Sequence, residues 1–196
     1  MGNPGTTTEF WMNNIDGFLD QATTYYGCGL ITRMTVELGE GEFVLTHNSC
    51  NDCCYGATAS EGLAAAVQYQ TNMRVIINKI YAYAPHVHLV LLVPCDPSNG
   101  EGIWVPTSVF LAFRQAIYNL QKANPSIRVA DIYTLMLGHP EYYAIDNTIH
   151  PNNLAHSNVD LVQAMRNFRA TTRFHPNDLG QSMIAAAIEA QFANWP

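Results

Sequence analysis

A chain of 196 residues, 48% of them hydrophobic, is long enough to bury one proper core without disulfide or metal staples. Charged residues make up only 13%, about half the usual share, so the solvent face must be built largely from neutral polar groups. Sixteen acids against nine bases give a net charge of -7, which argues against a phosphate-tracking surface, and the longest apolar run, residues 87–93, is too short to span a membrane.

Near the start, Thr6 and Glu9 are spaced as a capping box, and Trp11, Ile15, Phe18, Leu19 and Ala22 share one helical face. EFVLTH, residues 42–47, is a strand candidate followed by a polar, cysteine-rich turn. From about Ser60 to Tyr83 the spacing of Leu63, Val67, Ile76 and Ile80 suits a long helix, and Pro85 punctuates its end. VHLVLLV, residues 87–93, has no alternation, the pattern of a strand buried on both faces. Val109, Phe113, Ala116, Ile117 and Leu120 mark a further amphipathic helix ended by Asn124-Pro125. IRVADI, residues 127–132, is the next strand, and a last helix runs from Asp178 to Phe192 with Ile184, Ala187 and Ile188 inward.

Alternating strands and helices imply a single α/β domain over residues 1–196, a three-layer α/β/α sandwich with a mostly parallel sheet. In such a sheet functional residues gather at the carboxyl ends of the strands. Three polar segments fall where that rule puts chemistry: NSCND at 48–52, PCDPSNGEG at 94–102, and TRFHPNDLGQ at 172–181, which has a looser copy, NTIHPNNLAH, at 147–156. A histidine in such a segment suits general base work. It equally suits a helix entry, with Pro176 and Asn177 or Asp178 starting the last helix. Asn51 and Asp52 are likewise ordinary turn residues.

His47, Cys50, Cys53 and Cys54 invite a zinc reading, but a structural site wants four convergent ligands, usually from two separated pairs. With Cys28 and Cys95 the cysteines number five, an odd count that does not make a disulfide framework. Buried thiols or one or two disulfides are preferred. No metal and no cofactor is expected, and no signal peptide is read in this numbering.

The order of these motifs resembles the SGNH hydrolases, the GDSL esterase and lipase family. Ser49-Cys50-Asn51-Asp52 stands where the family has Gly-x-Asn-Asp at a strand end. QTNMRVIINKIYAYAPHVHLVLLVPC matches the helix and strand that follow, NPSIRVADIY the next strand, and FHPNDLGQSMIAAAI the last block and its helix. The resemblance covers roughly residues 40–192, with an insertion near 137–172. It implies a flavodoxin-like sandwich and a serine-type ester hydrolase of small acyl or acetyl esters, carbohydrate esters among them. His175 would be the base, Asn51 an oxyanion-hole donor through its side-chain amide, and Gly27 a second donor through its backbone N–H.

His175 is preferred to His150, because Gly180 and the alanine-rich helix accompany only the former. Thr172 occupies the place of the family's aspartate, three residues before its histidine. The alternative pair is His150 with Asp146. Gly2-Asn3-Pro4 stands where the family has Gly-Asp-Ser, so the nucleophile's strand is expected either before this chain or in a rebuilt form. Thr6, Thr7, Thr8 and Cys50 are the alternative nucleophiles; helix capping accounts for the threonines, and Cys50 lies on the segment that the resemblance gives to the oxyanion hole. The second expectation, from a different class, is a catalytically inactive SGNH-like fold serving as a binding or structural subunit with protein partners. Neither reading involves nucleic acid.

Overall fold

The structure is a computed structural model and describes residues 7–25, 31–36, 59–93, 107–137, 139, 177–193 and 195. In chain order these form α1 (Thr8–Tyr25), β1 (Arg33–Val36), α2 (Ala59–Tyr83), β2 (His88–Val93), α3 (Thr107–Ala123), β3 (Arg128–Asp131), α4 (Ile132–Met136) and α5 (Asp178–Ala193). The three strands make a parallel sheet in the order β1-β2-β3. Arg33 lies opposite His88 and Val36 opposite Leu91 in one ladder; Val90 lies opposite Arg128 and Val93 opposite Asp131 in the other.

β2 explains the layering. Its side chains alternate between faces, and both faces are covered. Leu89, Leu91 and Val93 enter a core with Trp11, Ile15 and Leu19 of α1, the inner stripe of α2, and Phe110, Phe113, Ile117 and Leu120 of α3. Val90 and Leu92 enter a smaller core with Ala130, Ile132, Met136 and Phe192, against which Ile184, Ala187 and Ile188 of α5 pack. The fold is therefore α/β, with helices on both faces of a parallel sheet, and the non-alternating VHLVLLV run is the strand shared by the two cores.

The same short turn brings the chain from α2 into β2 and from α3 into β3. Val87 N–H donates to Ala84 O at 3.1 Å, and Ile127 N–H to Asn124 O at 3.0 Å, around Pro85 and Pro125 respectively. Proline fixes its own φ and cannot extend the preceding helix, so each helix stops and the strand starts within a few residues. Asn124 adds a local bond, its Oδ1 accepting from Ser126 N–H at 3.2 Å.

Several expectations are corrected. The described cap of α1 is Thr7, whose Oγ1 accepts from Phe10 N–H at 3.2 Å, one residue later than the Thr6–Glu9 box, so Glu9 falls in the first turn instead of closing a box. Leu63 and Val67 of α2 are 45% and 69% exposed. The buried stripe is Ala66, Tyr69, Met73, Ile76, Ile77 and Ile80, set by the close approach of α1 and α3 on either side. Thr8 and Asn72 are buried between α1 and α2, with Asn72 Nδ2 donating to Thr8 Oγ1 at 3.0 Å and Gln68 Nε2 donating to Asn72 Oδ1 at 2.8 Å. β1 at Arg33–Val36 was not anticipated, and neither was the five-residue α4 that turns off the end of β3. The strand expected at 42–47 and the insertion near 137–172 lie outside the described residues, apart from Leu137 and His139.

Candidate active site

Because the sheet is parallel and in register, β1, β2 and β3 end on one edge, at Val36, Val93 and Asp131. From there the chain runs on toward residues 48–52 after β1 and 94–102 directly after β2. α5 arrives at the same edge from the other direction. Its carboxyl end sits at the amino ends of the strands, where Phe192 lies under Arg33 and Trp195 stacks on His88. Sixteen helical residues rise about 24 Å, more than the roughly 20 Å of a six-residue strand, so the amino end of α5 reaches the carboxyl edge of the sheet. There Asn177 caps the helix: its Oδ1 accepts from Gly180 N–H at 2.9 Å and its carbonyl from Gln181 N–H at 2.8 Å. Residue 175 precedes this cap by two positions.

The described polar cluster on that edge centres on Asp131. Its Oδ2 accepts from Arg114 Nη2 at 2.6 Å and Nε at 3.1 Å, from Tyr118 Oη at 2.9 Å and from Thr134 Oγ1 at 2.8 Å. Oδ1 accepts from Thr134 N–H at 3.1 Å and so caps α4. The Arg114 guanidinium lies 5.3 Å from the Tyr118 ring centroid and 5.6 Å from that of Tyr133, within cation–π range of both. Burial pushes the Asp131 carboxyl up, but the bonds from Arg114, Thr134 and Tyr118 outweigh it and hold the group below its ordinary value. Bonding to Asp131 raises Arg114, against a smaller opposing effect of burial, while burial first and the Asp131 bond second raise the Tyr118 phenol. A carboxylate so occupied is a fixed anion that ties α3 and α4 to the end of β3. It could take a proton in catalysis only by giving up these bonds.

His175, Asn51, Gly27, His150 and Asp146 all lie outside the described residues, as do Thr172, His47 and the five cysteines. The described residues therefore bring none of them together; they supply the strand ends and the helix entrance from which these segments depart. The Asp131 cluster is what the sequence reading missed. Its signal was the Asp-x-x-Thr spacing of Asp131 and Thr134 at a strand end, with Arg114 and Tyr118 four apart on one helix. Among the described residues no helix is long and apolar enough to cross a membrane.

No protein-family model matches the chain, and no curated protein matches it. Among solved structures it is similar to a possible lipase from Chitinophaga pinensis, at 19% identity and a TM-score of 0.51, over 96% of this chain and 79% of that one. The likeness is one of fold.

Proposed function

We propose that the chain is an SGNH-type ester hydrolase acting on small acyl or acetyl esters, with esters of carbohydrates as the class to try first. The observation that carries this reading is the meeting of the α5 entrance with the exits of β1 and β2 on one edge of the sheet. That is where a base on the segment before Asn177 and a donor on the segment after β1 would both be wanted. The fold likeness to a possible lipase supports the same class. In this reading the His175 imidazole takes the nucleophile's proton and returns it to the leaving alcohol. The Asn51 amide and the Gly27 N–H receive the oxyanion. His150 with Asp146 is the competing base and acid. The nucleophile is not assigned.

The test is hydrolysis of 4-nitrophenyl acetate by the wild type and by the His175→Ala, His150→Ala and Asn51→Ala variants. Loss of the base is expected to lower kcat/KM by about a hundredfold to ten-thousandfold, and loss of Asn51 to lower kcat by about a hundredfold to a thousandfold. The His150 variant should match the wild type. Equal rates in the wild type and both histidine variants would remove His175 and His150 alike. Thr172 in place of the family's aspartate favours the second reading, an inactive fold serving as a subunit. Absence of turnover, together with no labelling by a fluorophosphonate probe, would favour that second reading over the first.

A further inference from the structure

The amino edge of the sheet, opposite the proposed site, carries an arrangement that the catalytic reading does not use. Each strand contributes one residue near its start, on the face covered by α5: Arg33 from β1, His88 from β2 and Arg128 from β3. All three engage the end of that helix. His88 and Trp195 stack with ring centroids 4.5 Å apart and planes 10° from parallel. The Arg128 guanidinium lies 4.5 Å from the same indole centroid, and its Nη1 donates to Gln191 O at 2.6 Å. Arg33 lies 5.3 Å from the Phe192 ring centroid. The turn back is closed by Trp195 N–H donating to Phe192 O at 3.2 Å.

These contacts matter because, among the described residues, the rest of α5 is thinly held. α2 buries a full stripe, whereas Ile184, Ala187 and Ile188 of α5 are only partly buried and Gly180 and Phe192 are its buried residues. The last turn of α5 contains no basic residue, so Arg128 supplies from β3 the cation that a helix carboxyl end favours. The Arg33–Glu189 pair, 3.9 Å apart with both side chains more than half exposed, adds little. Among the described residues the helix is thus fastened chiefly at one end.

We infer that Trp195 is a positioning residue: seated against His88 and Arg128, it clasps the carboxyl end of α5 to the amino edge of the sheet and thereby sets where the opposite end, at Asn177, meets the carboxyl edge. The catalytic consequence rests on the proposed role of His175, which lies just ahead of Asn177; the clasp itself does not. Loosening it lets α5 open locally while the sheet and the α1–α2–α3 layer stay closed.

Hydrogen exchange on the full chain decides the clasp. In Trp195→Ala, amides of α5 are expected to exchange about tenfold faster, with α2 amides unchanged, and Trp195→Phe is expected to restore most of the protection because a ring still stacks on His88. Unchanged α5 exchange in Trp195→Ala would overturn the inference. Should Trp195→Ala not fold, Arg128→Gln is read in its place, with the same expectation and the same overturning result. Turnover of 4-nitrophenyl acetate then decides the positioning role. A fall in kcat with KM kept, rescued by Trp195→Phe, supports it, and unaltered kcat beside accelerated α5 exchange overturns it. A wild type with no turnover would defeat the proposed function alone, since the exchange result stands without it.

Discussion

Asp131 gathers four donors on one carboxylate oxygen and a fifth on the other, so its charge is worth more folded than unfolded. The sign follows from the direction of its pKa, held below the ordinary 3.8. The stabilisation is present in full above that ordinary value and is lost as pH falls below it through the folded value. Asp131→Asn keeps the shape and removes the charge. It is expected to cost about 1–3 kcal/mol near neutral pH, and the gap to wild type should narrow below about pH 4; urea unfolding of both proteins across that range measures it. A gap independent of pH would show that the charge is not what stabilises the cluster. The cluster was hard to see beforehand because Asp131 closes a strand of apolar character and its partners come from two other elements. His175 and Asn51 are proposed on the opposite kind of signal: each belongs to a local motif that needs no folded structure to be noticed, and both lie outside the described residues.

Elements were legible in proportion to their length and to the clarity of their ends. α2 and α3 were found because Pro85 and Asn124-Pro125 mark the turns into β2 and β3. Within α2, however, the large aliphatics Leu63 and Val67 lie outside the buried stripe, because the residues that let α1 and α3 approach include a small one, Ala66, and Tyr69. β1 was missed because Arg33 and Thr35 are exposed and Met34 and Val36 only half-buried, and two periods of alternation in four residues cannot be told from a loop. α1 offers a test at this scale. Gly17 is exposed in mid-helix, and a Cβ there would meet no atom of the described residues within 4 Å. Gly17→Ala is expected to raise stability by about 0.5–1 kcal/mol, read as a higher urea midpoint with unchanged slope. A lower midpoint would mean that α1 meets a neighbour through that position.

At the scale of the molecule, β2 is the wall common to two cores, so the two faces should fail together. Leu91 faces the core of α1, α2 and α3, and Leu92 the core under α4 and α5. Leu91→Ala and Leu92→Ala are each expected to cost about 2–5 kcal/mol. Thermal melts followed by circular dichroism and by tryptophan fluorescence should stay coincident in both variants. Separated transitions in Leu92→Ala would show that the α5 side unfolds by itself. The parallel pairing also has a kinetic side. Arg33 meets His88 only after the whole of α2 has been made between them, so among the described strands no pairing is a hairpin. During synthesis β1 must wait for β2 to emerge before this pairing can form. The polar residues that obscured β1, Arg33 and Thr35, are well suited to that interval, since a short strand with a charge on one face is a poor template for pairing with another chain.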